Sequence, residues 1–178
     1  MRRFINLAAI GAALTVCGVA SAQETRDYTP VNFAFRLGVA LPIDDNLSSL
    51  GDTLFAVGVD YRIDRPFFPN GETFFSIDWF GKSTSGAKGN VFPVNVNHKW
   101  FTSGTGLPTT DETRAYFFAG VGAVIIDVGT SDTVLGARAG IGVELGTYFF
   151  AEGAFYISDK GAGNVRSTAA ALYLGYRF

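Results

Sequence analysis

The chain has 178 residues, enough for one domain, and charged residues make up only 17% of it, against about a quarter in a typical soluble domain. Its 14 basic and 16 acidic residues provide no excess of positive charge that would indicate a nucleic-acid partner. Aromatic residues reach 15% and glycine occupies 22 positions, a composition that suits a crowded and sharply curved β-structure facing lipid better than a soluble domain.

Residues 1–22 have the pattern of a secretory signal peptide. Two arginines form a positive start, an apolar stretch follows, and Ala20-Ser21-Ala22 is an A-x-A cleavage site. Cleavage leaves residues 23–31 as a polar periplasmic tail and removes Cys17, the only cysteine, so the mature chain has neither a disulfide nor a cysteine-based metal site. A lipoprotein signal ending at Cys17 is the alternative, but the valine before that cysteine is bulky for such a site.

Eight later segments alternate apolar residues with small or polar ones. A period of two predicts β-strands, because successive side chains of a strand point to opposite faces. The fourth segment contains Pro93, which lacks an N–H and indicates a bulge or a strand start. Each segment has about 10 residues, the length with which a tilted strand crosses a bilayer. The predicted strands are residues 32–41, 53–63, 72–81, 90–101, 114–127, 134–145, 148–157 and 169–178.

These strands, joined by turns, predict an all-β fold over residues 32–178. The fold is an eight-stranded antiparallel up-and-down transmembrane β-barrel, preceded by a cleaved signal peptide. A closed barrel leaves no unpaired strand edge in lipid. An even number of strands places both chain ends in the periplasm. The polar loops that then face outside are residues 42–52, 82–89, 128–133 and 158–165.

The charged residues of the predicted strands fall on the face opposite the apolar one. This parity assigns them to the barrel lumen, since an Arg or Lys facing lipid at mid-bilayer costs about 2–4 kcal/mol. An eight-stranded barrel is just wide enough for side chains, which favours a structural ion-pair network over transport or catalysis. Arg36, Asp60, Asp78 and Glu152 fall at similar depth and are expected to pair. The predicted lumen charge network is Arg36, Asp60, Arg62, Asp78, Lys99, Arg114, Arg138, Glu144, Glu152 and Arg177.

The last strand ends in outward Tyr176 and Phe178. Taken alone it could be the edge strand of a soluble sheet, but it resembles the terminal strand of bacterial outer-membrane barrels, whose C-terminal Phe is recognised by the assembly machinery. That resemblance implies an assembly signal at Tyr176 and Phe178. The stretches PVNVNHKWF, RAYFFAGVGAVIID and GARAGIGVELGTYFFAEGAFY are similar to the small outer-membrane β-barrel domain family, which includes OmpA-like, OmpX-like, opacity-like and OmpW-like proteins.

The family resemblance implies a fold and leaves the function open between classes. The favoured class is an integral barrel of the outer membrane of a diderm bacterium, with a structural or surface-interaction role and a lumen filled by side chains. Its partners would be outer-membrane lipid and lipopolysaccharide, with the barrel assembly machinery and periplasmic chaperones during biogenesis and no nucleic acid, and the protein would be a monomer. The OmpW-like resemblance implies the alternative, a narrow channel for small hydrophobic molecules.

A lipid A-modifying enzyme is a further alternative that the resemblance brings. Small barrels that act as deacylases use His, Ser and an acid, whereas the only histidine here, His98, is predicted to point toward lipid. Ser103 lies in the turn that follows, and no His-x-Ser arrangement is present. One histidine and no mature cysteine leave only carboxylates as possible metal ligands, so no metal cluster is expected. The sequence therefore predicts no catalytic residue, no cofactor and no metal site.

Overall fold

The computed structural model describes residues 32–64, 66–69, 71–83, 88–102 and 112–178. Within these ranges eight strands form one closed barrel, in which each strand pairs with the next and the first pairs with the last. All the pairings are antiparallel. The predicted signal peptide, residues 1–22, and the predicted periplasmic tail, residues 23–31, lie outside the described residues.

The eight strands coincide with the eight predicted segments, so the predicted all-β barrel fold is confirmed. We call the end of the barrel near residues 32 and 178 the terminal end, and the opposite end the loop end. Several strands extend farther toward the loop end than predicted, because hairpin pairing continues into segments whose composition is that of loops. The strands are β1 Phe33–Pro42, β2 Leu54–Ile63, β3 Gly71–Ser83, β4 Lys88–Phe101, β5 Thr113–Asp127, β6 Ser131–Leu145, β7 Phe149–Ser158 and β8 Ala169–Arg177.

The prediction of a bulge or strand start at Pro93 is wrong. Strand β4 begins at Lys88, and Pro93 is paired with Val124 of β5. The pairs Ile77–Val94 and Phe80–Val91 have the same register on both sides of Pro93, so no extra residue is inserted. The ladder to β3 is interrupted between those pairs, as expected where a proline offers no N–H.

A short helix occupies the segment 42–52, which the composition had assigned to a polar loop. Helix α1, Asp45–Ser48, is capped by the carboxylate of Asp44, which accepts hydrogen bonds from two backbone N–H groups at 3.1 and 3.0 Å. Leu47 is completely buried and Leu50 is nearly so. Helix α1 and the turn after it thus place two apolar side chains at the loop end of the barrel. No helix in the described part of the chain is long and apolar enough to cross a membrane.

Apolar residues fill the loop end of the lumen beneath α1. A 3-10 turn at Ala162–Asn164 lies beside the helix, and Asn46 Nδ2 donates to the backbone carbonyl of Asn164 at 3.1 Å. We call this group the apolar plug, and its main members are Ala40, Leu47, Leu50, Leu54, Phe80, Val91, Ile126, Ala162 and Val165. The plug closes the lumen at the loop end.

The outer face of the barrel is apolar around the described strands. Val121, Leu135 and Ile141 expose 69%, 74% and 70% of their surface, far more apolar exposure than a soluble monomer usually carries. In the fifth strand, where both faces are apolar, Phe117, Val121 and Ile125 lie on the exposed face. We call this exposed surface the apolar belt.

Candidate functional site: the charged lumen

Charged side chains fill the lumen between the apolar plug and the terminal end. All ten residues of the predicted network face the lumen, and nine of them are buried. The exception, Arg62, lies at the terminal end with 30% of its side chain exposed and pairs with Glu72 at 3.5 Å. The structure divides the buried nine into two groups at different heights.

The first group is a closed ring of alternating charge, which we call the central ring. Arg36 Nη2 donates to Asp78 Oδ1 at 2.7 Å, and Arg36 Nη1 donates to Glu152 Oε1 at 2.6 Å. Arg138 completes the ring, because its Nη1 and Nη2 donate to Asp78 Oδ2 and Glu152 Oε1, both at 2.8 Å. Asp60 joins from the side, 2.8 Å from Arg36 Nη2. Arg36 therefore contacts all three carboxylates that the sequence placed at its depth.

Neighbouring side chains add hydrogen bonds to the central ring, although the Nε atoms of Arg36 and Arg138 have no hydrogen-bond partner among the described residues. The Tyr116 hydroxyl donates to Glu152 Oε2 at 3.1 Å, and Arg138 Nη1 also donates to Ser76 Oγ at 3.2 Å. The guanidinium of Arg138 lies 4.5 Å from the centre of the Phe118 ring, a cation–π contact. Such partners are required, because buried charges cost several kcal/mol each unless they are paired and hydrogen-bonded.

The second group surrounds Glu144 near the terminal end, and we call it the terminal cluster. Glu144 accepts hydrogen bonds from Arg114 Nη2 at 2.6 Å and from Arg177 Nη2 at 2.7 Å. Lys99 Nζ lies 3.6 Å from the same carboxylate and 4.3 Å from the centre of the Tyr116 ring. Three cations share one carboxylate here, whereas the central ring with Asp60 has three carboxylates for two cations. The two groups thus carry opposite formal excess charge, which favours their stacking in one lumen.

Glycines on neighbouring strands make room for the long inward side chains. Arg36 is paired with Gly58 on one side and with Gly175 on the other. A Cβ atom at Gly58 would collide with the side chains of Asp78 and Arg36, and one at Gly140 would collide with the ring of Phe118. The inward glycines therefore leave space for the large inward residues of neighbouring strands. The alternation along a single strand does not reveal this pairing.

A small crevice marks the terminal end of the lumen. Its volume is about 30 Å³, and it is lined in part by Asp60, Lys99 and Arg177. That volume holds about one or two water molecules. Beyond it the central ring and then the apolar plug occupy the lumen. Among the described residues, no group of His, Cys, Asp and Glu side chains could hold a metal ion.

His98 lies on the outer face of β4, as its parity predicted, but it is only 4% exposed. The turn at residues 66–69 folds over it, and the ring of Phe68 lies 5.2 Å from the His98 ring. Its Nδ1 is 3.1 Å from Thr73 Oγ1. Ser103, the other residue weighed for an enzyme, lies outside the described residues. Nothing in the alternation of apolar and polar residues indicates that this turn covers His98.

The last strand ends at the rim of the terminal end. Phe178 is 49% exposed, its ring lies 5.2 Å from that of Tyr176, and its backbone N–H donates to the carbonyl of Phe33 at 3.0 Å. Tyr176 also contacts Phe149 across the β7–β8 pair, at 5.1 Å between ring centres. Tyr176 thus sits on the outer face of β8, and Phe178 follows directly after the last residue of that strand.

Comparison with known proteins identifies the fold. No protein-family model and no curated protein sequence matches the chain. The solved structure of Ail, the attachment invasion locus protein of Yersinia pestis, matches with a TM-score of 0.51 and 16% identity over 84% of this chain and 100% of that one. The N-terminal β-barrel domain of Pseudomonas aeruginosa OprF gives 0.49 and 15%, over 84% and 100% of the two chains. Neisserial surface protein A gives 0.48 and 16%, over 84% and 98%. The match to Ail shows that the chain has the fold of a small outer-membrane β-barrel.

Proposed function

We propose that this chain is an integral protein of the outer membrane of a diderm bacterium, a monomeric barrel with a structural or surface-interaction role. The apolar belt supports this location, because exposed apolar side chains on every strand suit a lipid surface and not water. In this orientation the terminal end faces the periplasm, and α1 and the loop end face outside. Lipid and lipopolysaccharide are then the neighbours of the belt.

The observation that carries the proposal is the filled lumen. Two groups of side chains occupy it at successive heights. The central ring blocks its middle with side chains that are 0–1% exposed. The apolar plug blocks the loop end with residues such as Leu47 and Phe80 at 0% exposure. A permeating solute would have to separate buried ion pairs and also displace packed apolar side chains, and both are costly.

The two other functions are less well supported. Phe80 and Tyr156, inward aromatic residues that could line a path for hydrophobic molecules, lie in tight contact with each other, at 5.4 Å between ring centres. For an enzyme, the described polar atom within hydrogen-bond distance of the His98 ring is a threonine hydroxyl and not a carboxylate.

Liposome swelling tests the proposal. The protein is refolded into vesicles, folding is verified by its heat-modifiable gel mobility, and the uptake of arabinose and of potassium chloride is compared with empty vesicles and with vesicles containing a porin. We expect permeability equal to that of empty vesicles. Sugar or salt uptake approaching that of the porin would show that the lumen opens and would reject a purely structural or surface role. Failure of the folded chain to enter vesicles would reject the membrane location itself.

A further inference from the structure

An open groove of about 670 Å³ crosses the outer face of β4 to β7. The strand register explains it. One row of paired outward residues runs His98, Ala119, Ala139 and Phe155 across the four strands. The two alanines lie between large neighbours, so the belt is indented where they pair. Four strands at about 4.8 Å spacing give the groove a length on the order of 14 Å.

The groove is walled at the terminal end by the turn at residues 66–69. The Phe67 backbone N–H donates to Thr73 Oγ1 at 2.8 Å, which holds the turn against the outside of the barrel. Phe67 and Phe68 remain 66% and 56% exposed. Trp100 continues the wall, and its ring stacks on Phe117 at 5.2 Å between centres. Aromatic side chains in this position are typical of a membrane–water interface.

A histidine lies at the terminal end of this surface. His98 lines the groove, is 4% exposed, and its Nε2 has no hydrogen-bond partner among the described residues. A Cβ atom at Gly71 would collide with His98 Nε2, so this nitrogen lies against the backbone of β3 and is not open to the groove. The groove therefore has an apolar floor and an aromatic wall at its periplasmic end.

We propose that this groove holds one acyl chain of a phospholipid from the periplasmic leaflet, with the ester or headgroup region of that lipid at the aromatic wall. The inference rests on the membrane location proposed above, since the groove is continuous with the apolar belt and the medium against that belt is lipid. A flexible acyl chain can adapt to the shape of the groove. A filled groove has van der Waals contacts that an empty groove lacks.

A second copy of the chain fits the groove less well. Symmetric dimers place the same patch of both subunits in contact. Two indentations would then face each other and leave the space between them unfilled. Lipid tails are as apolar as the belt itself, so no hydrophobic driving force would favour the protein contact over lipid.

Native mass spectrometry of the refolded full chain tests the proposal, with palmitoyl-oleoyl phosphatidylethanolamine as the probe in mixed micelles. We expect the wild type to retain one phospholipid. Ala139→Phe fills the floor and should lower the retained fraction at least fivefold. Ala151→Phe is the matched control, because Ala151 is an outward alanine of β7 that does not line the groove, and it should behave as the wild type.

Tryptophan quenching locates the lipid by a second, independent measurement. Trp100 borders the groove and Trp79 lies on β3 outside it. In Trp79→Phe and Trp100→Phe, each remaining tryptophan is titrated with a phosphatidylethanolamine brominated in mid-chain, diluted in phosphatidylcholine vesicles. The mole fraction of brominated lipid that halves the fluorescence of Trp100 should be at least twofold lower than the fraction that halves the fluorescence of Trp79. Adding Ala139→Phe should abolish this difference.

Several results would overturn the inference. With folded protein, the inference is wrong if the wild type retains no lipid or if Ala139→Phe and Ala151→Phe lose the retained lipid equally. It is also wrong if the two tryptophans are quenched equally. A dimer that Ala139→Phe converts to monomer would assign the groove to a second copy instead. Failure of the wild type to fold into vesicles would reject the membrane location and the groove together, whereas folded protein without bound lipid rejects the groove alone.

Discussion

Arg36 is the residue on which the central ring depends most. It contacts Asp60, Asp78 and Glu152, which come from three other strands of the barrel. Removing one partner of a buried ion pair typically costs about 3–5 kcal/mol, because the remaining charge stays buried without compensation. Here three carboxylates would be left with one arginine, so the like-charge repulsion adds to that cost.

We therefore expect Arg36→Leu to lower the free energy of unfolding in urea by about 3–5 kcal/mol, measured on protein refolded into vesicles. Arg62→Leu is the matched control, since its side chain is 30% exposed and its ion pair is long at 3.5 Å. It should cost at most about 1 kcal/mol. Asp132→Asn, at the exposed start of β6, should have a negligible effect. Equal effects of Arg36→Leu and Arg62→Leu would contradict the structural importance of the central ring.

The inward direction of these residues could be predicted from parity, but their partners only in part. Counting along the strands placed Arg36 level with Asp60, Asp78 and Glu152, and Arg36 contacts all three carboxylates. The same count did not single out Arg138, which closes the ring. The heights of side chains on different strands depend on strand tilt and stagger, and these are properties of the closed barrel that no single strand contains.

At the scale of the strands, packing in the lumen depends on a large inward residue facing a glycine. Phe118 of β5 is paired with Gly140 of β6, and a Cβ atom at Gly140 would collide with the Phe118 ring and with the carbonyl of Gly153. Overpacking a tight core costs typically about 1–3 kcal/mol. Gly153 of β7 faces outward, and a Cβ atom there would meet its nearest neighbour at 3.7 Å, an ordinary contact.

Gly140→Ala should therefore lower the free energy of unfolding by about 1–3 kcal/mol, whereas Gly153→Ala should be neutral or slightly stabilising. Both are read from the same urea titration in vesicles. The pair differs only in the face of the sheet that receives the methyl group. If Gly140→Ala is as stable as Gly153→Ala, the lumen is less tightly packed than the structure indicates.

Helix α1 shows the limit of sequence reading at this scale. Its Asp44 cap and the apolar pair Leu47 and Leu50 are visible in the sequence, yet four helical residues carry too little periodicity to stand out in a polar segment. An isolated helix of this length is unstable in water. The helix is stable here because Leu47 and the nearby Leu50 are buried at the loop end of the lumen. The alternation of residues along the strands does not show whether that end of the barrel is open.

At the scale of the whole molecule, the barrel has three distinct surfaces. The apolar belt faces outward, the lumen is filled by ion pairs and the apolar plug, and the rim of the terminal end carries Phe33, Tyr176 and Phe178. The first two surfaces explain how the finished barrel is stable in lipid. The rim contributes little to that stability, because its aromatic side chains are partly exposed. Its aromatic residues are therefore candidates for a role in assembly.

Phe178 and Phe33 form a matched pair for testing that role, because both are 49% exposed on the outer face of the terminal end. Full burial of a Phe side chain is worth about 1.5–3 kcal/mol, so either residue changed to serine should lose much less. Both Phe178→Ser and Phe33→Ser should then refold into vesicles nearly as well as the wild type, judged by heat-modifiable gel mobility. In a diderm host, Phe178→Ser should accumulate poorly in the outer membrane while Phe33→Ser accumulates normally, because the assembly machinery is expected to recognise the C-terminal residue. Normal abundance of Phe178→Ser would make Phe178 only a rim aromatic, and failure of Phe178→Ser to refold in vitro would assign it to packing.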